Sequence, residues 1–332
     1  MTTGTVDPTE APSSRWNVAA SRWLPSLRSA GILIPFVILF AVLSARSAPF
    51  LTKTNLLNIL DQQSANLIIA AAGTLVLVSG GLDLSVGATY SLAGVVTAQV
   101  GQHHPVWLGV VLALLAGLLI GLVNGFITTV CRINSLIATL AMSFIVSGLG
   151  SRVTGGNLLV LTSHPGFAKL AQTTWLSVRT SIWIALAALL VLGVVLSRST
   201  LGRYMYAAGG NAEAARLAGV RVNGVRIAAF AASGTAAALA GVVDTSRVLS
   251  ATSSTGDQLT FTVLAGIVVG GTSILGGEGA IWRTIVGVLF IALVGNGFDL
   301  LGADPLYQQI TLGVILLLAV GLDALSRGVR RR

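Results

Sequence analysis

Charge is what this sequence has least of. Only 9% of its 332 residues are Asp, Glu, Lys or Arg, where soluble domains carry roughly 25%. So few charges cannot cover the two soluble domains that the length would allow, and with 54% hydrophobic residues the chain reads as one polytopic membrane domain. Cysteine is nearly absent too. The single Cys131 excludes an internal disulfide framework and a multi-cysteine metal site, and at the edge of an apolar run it reads as inert packing. The only lysines, Lys53 and Lys169, do not follow glycine-rich turns. Without G-x-x-x-x-G-K-[ST] the chain has no phosphate-binding loop and does not hydrolyse ATP alone. No Asp, Glu, Lys or Arg stands mid-span as the relay of a proton-coupled carrier. Asp244, Asp299 and Asp323 fall near span ends as interfacial anchors, with Asp244 and Arg247 spaced to pair. His103 and His104 are adjacent and do not converge on a metal as an i, i+4 pair can, and no catalytic triad or paired carboxylate is placed to define an active site.

What is present is apolar sequence between charges. Charge-free intervals run over 29–45, 62–82, 84–131, 133–151, 180–197, 227–243, 258–277, 284–298 and 305–322. A crossing helix needs about 20 residues; the interval 84–131 is broken by the turn-like GQHHP at 101–105 and counts twice, which makes ten spans. Ten spans put both termini on one side. With that side cytoplasmic, 14 of the 20 Lys and Arg residues are inside, in accord with the positive-inside rule. The net charge of +9 is therefore an orientation signal: the arginines are dispersed, with no basic stripe for nucleic acid. The expected organisation is all-α: a polar, partly disordered leader at 1–28, a transmembrane domain at 29–325 and a basic tail at 326–332. The longest inner loop is 198–226, and the outer connection 151–179 holds a short surface helix. The stretch 50–63 is expected along the outer interface, Leu56, Leu57 and Leu60 on one side and Lys53 and Asp61 as anchors.

Within this frame "VSGGLDLSVGATYSLAG" (78–94) stands out. Gly80 and Gly81 break the helix, Asp83 and Ser85 can cap the next one, and Gly87 allows close approach, so the stretch is either a well-made turn or part of the pathway lining. "VGGTSILGGEGA" (269–280) repeats part of it, a hint of internal duplication, with Glu278 in the second turn. The amides Gln62, Gln63, Asn66, Asn124, Asn134, Asn296 and Gln308 and the hydroxyl of Ser143 lie in or beside spans. Asn66, Asn124 and Asn296 are candidate pathway groups, since amides donate and accept and suit a neutral polyhydroxyl solute; hydrogen bonding between helices is the other reading.

The inner loop holds "GGNAEAARLAGV" (209–220). Asn211 is an N-cap, Glu213 and Arg216 complement the helix dipole, and Gly219 sits at C′. A helix of about two turns is marginal in water and needs packing. Ala214, Leu217 and Ala218 form a small apolar side that suits a shallow groove, either on a partner or on the chain's own inner ends.

"GGLDLSVGATYSLAGVV" and "LGRYMYAAGGNAEAARLAGVRVNGVRIAAFAASGTAAALAGVV" resemble the two signature regions of the ribose-type permease subunits of bacterial ABC sugar importers, a likeness that runs through about residues 30–325. Gly210, Asn211, Ala214, Ala215, Ala218 and Gly219 carry its Gly-Asn-x-x-Ala-Ala-x-x-Ala-Gly pattern. The resemblance implies a multi-pass inner-membrane protein, two permeases around one path, and an ATP-binding cassette subunit that uses ATP and Mg while this chain binds no cofactor. It also implies an extracytoplasmic sugar-binding protein and a coupling helix at 211–219. A secondary carrier working without an ATPase, and a non-transporting scaffold or sensor, are the readings from other classes.

Overall fold

The computed structural model describes residues 31–161 and 164–328. The leader at 1–28 and residues 329–332 of the tail lie outside the described residues. Among the described residues helices dominate: α1 (Leu33–Arg46), α2 (Lys53–Val78), α3 (Val86–Gly101), α4 (Val106–Thr129), α5 (Ser135–Thr154), α6 (Lys169–Gln172), α7 (Thr180–Arg198), α8 (Thr200–Gly210), α9 (Ala212–Leu217), α10 (Val222–Val248), α11 (Leu259–Val269), α12 (Ile281–Leu301) and α13 (Pro305–Gly328). Two-residue ladders are the only strands described: β1 (Leu159–Val160) against β4 (Ser250–Ala251), and the hairpin β2 (Thr174–Trp175) with β3 (Val178–Arg179). Each of the ten apolar intervals contains a helix. Five of these, α4, α5, α7, α10 and α12, are long and apolar enough to cross a membrane.

Two expectations need correction. The stretch 50–63 does not lie apart as a surface helix. Thr52 Oγ1 accepts from Asn55 N at 3.3 Å, and from there α2 runs unbroken for 26 residues. No glycine or proline interrupts it before Gly73, and its one internal charge, Asp61, is neutralised by an arginine. The interval 258–277 is helical only over the 11 residues of α11. Gly271, at φ +84°, ends it, and the chain turns through 272–280 before α12.

Glycine sets the helix spacing at the centre. Gly117 and Gly121, four apart on α4, lie so close to the Gly234 and Phe230 carbonyls of α10 that a Cβ at either would overlap them. Small residues at four-residue spacing let membrane helices approach in this way. Around α10 the buried core collects Ala229, Phe230, Ala237 and Ala240 with Ile68, Leu75 and Val76 of α2.

The packing repeats. α10 packs on α3 and α4 as α2 packs on α11 and α12; α3 meets α4 and α5 as α11 meets α12 and α13; and α2 meets α10. Helices α2–α5 thus match α10–α13 one for one. α2 ends where Gly277 N donates to Val78 O (2.9 Å) and Arg226 Nε to Ser79 O (3.0 Å), and α10 begins there. The matched helices therefore run in opposite directions, the inverted arrangement common in transporters. In this register 79–85 corresponds to 249–258. The echo between 78–94 and 269–280 is a shared helix ending instead: Gly80 and Gly271 have φ +83° and +84°, and Gly81 N→Val76 O (3.0 Å) matches Thr272 N→Ile267 O (3.2 Å). This is the bonding of a glycine-terminated helix.

Candidate functional site

α9 is a short helix with both ends closed. Asn211 Oδ1 accepts from Glu213 N (3.1 Å) and Ala214 N (3.0 Å), Glu213 pairs with Arg216 at 3.3 Å, and Gly219 ends the helix at φ +85° with its N–H on Arg216 O (2.9 Å). Capping satisfies N–H groups that a first turn otherwise leaves open. Only one side is packed. Ala215 is 5% exposed and joins the core, while Leu217 is 84% exposed and Ala214 and Ala218 are exposed beside it. Ala215 is thus part of the chain's own packing, whereas the apolar side expected to meet a groove is bare.

Behind α9 lies a joint made of backbone. A Cβ at Gly209 would overlap the Val78 carbonyl and stand 2.7 Å from Gly277 N, and one at Gly277 would stand 2.7 Å from the Gly210 Cα. Arg226 donates to Ser79 O and, through Nη2, to Ala208 O at 3.4 Å, so one guanidinium caps the last turns of both α2 and α8. Tyr206 OH donates to Gly279 O at 2.8 Å. Burial holds that phenol above its usual range, so it remains a neutral donor.

Between the two ends, α3 and α11 meet N-terminus to N-terminus. Gly87 N donates to Thr260 Oγ1 (3.1 Å), Gly256 N donates to Ser91 Oγ (2.7 Å), and Gly87 and Gly256 touch through their backbones. Leading into α3, the break at Gly80–Gly81 is tied to α5 by Leu82 N→Ser135 Oγ (3.1 Å) and Leu84 N→Thr139 Oγ1 (3.0 Å). Asp83 and Ser85 do not cap α3. Asp83 Oδ1 accepts from Ser85 N (3.0 Å) and Ser85 Oγ (2.6 Å), Asp83 Oδ2 from Ser233 Oγ of α10 (2.8 Å), and Asn124 Nδ2 of α4 donates to Ser85 Oγ (2.8 Å). Thr260, from the facing half-helix, takes the first-turn N–H that a cap would have taken. Gly80, Gly81, Asp83, Ser85, Gly87 and Asn124 are therefore one neighbourhood. Asn66 and Asn296 are not part of it: Asn66 donates to Gln63 (2.6 Å), and Asn296 exchanges amide bonds with Asn55 (2.9 and 3.1 Å) between α12 and α2.

At the opposite end from α9, two ionic groups escaped the sequence reading or exceeded it. Asp61 was expected as an anchor in water, yet its side chain is 3% exposed; it pairs with Arg179 (2.6 Å) and accepts from the Ser181 hydroxyl. Its place within a long helix, with Arg179 just before α7, was the available signal. Asp244 and Arg247 pair as their spacing predicts (2.7 Å), and Tyr90 OH adds a bond to Asp244 Oδ2 at 2.6 Å. Cys131, expected to be packed, is exposed because it follows the end of α4.

Known proteins share this chain's sequence along most of its length. Residues 55–320 match the family described as branched-chain amino acid transport system/permease component. The ribose import permease protein RbsC of Escherichia coli (strain K12) is 38% identical over 309 residues, 91% of this chain and 94% of the relative. RbsC of Bacillus subtilis (strain 168) is 35% identical over 300 residues, 90% of this chain and 93% of the relative. The L-arabinose ABC transporter permease protein AraH of Azospirillum brasilense is 36% identical over 306 residues, 92% and 90% of the two chains. No solved structure matches. A family match over most of the chain and relatives of this similarity along nearly their whole length lead to one conclusion: the chain belongs to the permease-component family of branched-chain amino acid transport systems, in the company of its ribose-type ABC permeases.

Proposed function

We propose that this chain is the membrane-spanning subunit of an ATP-driven importer that carries a monosaccharide, a pentose, hexose or related polyol, into the cytoplasm. The observation that carries the reading is the near full-length similarity to ribose and L-arabinose permeases. The ten apolar helices serve as the spans, α3 and α11 each completed by the non-helical segment before it, with both termini cytoplasmic as the distribution of basic residues indicates. Two permeases enclose the path, and an extracytoplasmic binding protein delivers the sugar. ATP and Mg act on the partner ATP-binding subunit. This chain supplies the path and, in α9, the element that meets the ATPase; its bare Leu217 with Ala214 and Ala218 fits a shallow apolar groove.

Deleting the subunit from the assembled system is expected to abolish ATP-dependent sugar uptake, and uptake that persists refutes the reading. Leu217→Glu, which places a charge on the bare side of α9, is expected to lower transport-coupled ATP hydrolysis at least fivefold in protein that still inserts and purifies as a single species. Normal coupling would remove α9 from the interface.

A further inference from the structure

The chain does something at 249–258 that most of its connections do not: it goes back into the bundle before the next helix starts. Leu249 to Ala251 are held at the end away from α9, where β4 pairs with β1, yet a few residues later Gly256 lies against Gly87 and α11 begins at Leu259. α11 has 11 residues and finishes at the α9 end, where Gly270 abuts Arg283 at the start of α12. At 1.5 Å per residue it is about 16 Å long, so its first residue stands near the middle of a hydrocarbon layer about 30 Å thick.

Non-helical backbone at that depth is stable where protein buries it or water reaches it, and not against lipid. One side of this turn is buried: Gly256, and Thr260 in the first turn of α11, pack on α3. The other side is not. Ser254, Thr255, Asp257 and Gln258 are exposed, and the Asp257 carboxylate makes no hydrogen bond or ion pair with any described residue. Its counterpart in the inverted repeat behaves differently. Asp83, three residues before α3 as Asp257 is two before α11, accepts three hydrogen bonds. An unpaired carboxylate against acyl chains at mid-depth costs about 3 kcal/mol even on insertion scales, so this side of the protein faces water rather than lipid.

We propose that the re-entrant segment lines the aqueous path, and that Asp257 and Gln258, with the hydroxyls of Ser254 and Thr255, contact the travelling solute. The chemistry suits a neutral polyhydroxyl ligand. A carboxylate accepts from two neighbouring hydroxyls of a sugar, and the Gln258 amide both donates and accepts. A site that bonds hydroxyls rejects analogues lacking them, because its polar groups are then left unpaired. The segment is thus a selectivity element inside the membrane, while Asp83 plays the structural part in the matching half. This inference rests on the monosaccharide-import reading.

The test uses the full assembly, this permease with its ATPase and binding protein, in proteoliposomes supplied with ribose or L-arabinose. Asp257→Asn is expected to lower uptake at least tenfold at saturating loaded binding protein, while binding-protein-stimulated ATP hydrolysis stays within twofold of the parent; Asp257→Glu is expected to recover part of the uptake. In a Cys131→Ser background, Asp257→Cys is expected to react with a membrane-impermeant methanethiosulfonate, and saturating sugar to slow the reaction at least threefold. Undiminished uptake by Asp257→Asn, or a thiol that stays unlabelled, overturns the proposal; labelling that sugar does not slow overturns the contact with solute. If the parent assembly hydrolyses ATP but accumulates neither sugar, the import reading fails. The labelling then still decides whether the segment faces water.

Discussion

Replacing Arg179 by alanine should do more damage than replacing the residue it pairs with. The two ends of the pair are unequally buried: the Arg179 side chain is 46% exposed, the Asp61 side chain 3%. With Arg179 gone, Asp61 keeps its carboxylate in the packing of α2 with the Ser181 hydroxyl as its one remaining hydrogen bond among the described residues and the Arg247 charge as its nearest compensation. Stranding one partner of a buried pair costs about 3–5 kcal/mol; solvent reaches the guanidinium here, so the lower end, about 3 kcal/mol, is expected. Asp61→Asn preserves an acceptor for Ser181 and leaves Arg179 free to turn into solvent, for about 1 kcal/mol. Replacing both by leucine should cost less than Arg179→Ala alone, since no buried charge remains. Trp175, in the hairpin that Arg179 closes, and Trp183, two residues past Ser181, have ring centroids 4.9 Å apart and are two of the chain's six tryptophans, so tryptophan fluorescence follows the thermal unfolding of the purified protein. The expected order of melting temperatures is parent, Asp61→Asn, double leucine, Arg179→Ala. An Arg179→Ala protein as stable as Asp61→Asn, or a double variant less stable than Arg179→Ala, refutes the reasoning.

Gly87→Ala places a methyl on the Gly256 carbonyl and the Thr260 hydroxyl where α3 meets α11; overpacking of this kind costs about 1–3 kcal/mol or more, and the yield of monodisperse protein should fall severalfold. Gly148→Ala, whose Cβ meets nothing within 4 Å, should leave yield unchanged and serves as the control. Asn211→Ala removes the cap on two N–H groups of α9, a loss of about 1 kcal/mol to a helix too short to stand alone; stimulated ATP hydrolysis should fall severalfold and return with Asn211→Asp. Arg226→Ala uncaps the last turns of α2 and α8 together, so amide hydrogen exchange should speed up in both 76–81 and 206–210, regions far apart in sequence, and not in one alone.

Much of this architecture was legible in the sequence, and the reasons differ by element. The apolar helices announced themselves because a charge in hydrocarbon is costly, which makes the distance between charges a ruler. α9 was readable to its last residue, since Asn211, Glu213, Arg216 and Gly219 act within one turn of their own backbone. What failed to show was whatever depended on distant parts of the chain. Asp61 looks like an interfacial anchor until Arg179, more than a hundred residues later, is seen beside it. Asp83 and Ser85 carry the composition of a helix cap, but Ser233 and Asn124 draw them elsewhere. The inverted repeat shows only in which helix packs on which, a pattern made by contacts between distant parts of the chain. The similarity visible along the chain, between 78–94 and 269–280, reflects only a common way of ending a helix.

The joint behind α9 bears on how such a protein can be adjusted. Where Gly209 and Gly210 meet Val78 and Gly277, main chain rests on main chain. A side chain can change rotamer and absorb part of a displacement; a peptide unit cannot. In the coupling reading, a push on α9 therefore reaches the end of α2 and the turn before α12 without compliance, and with no adjustable part between them. No graded series of substitutions can stiffen or soften this point, because the smallest addition, one methyl group, already occupies the space of a carbonyl oxygen. Tuning of stroke against force must be sought on either side of it, in the bare face of α9 or in the half-helices beyond.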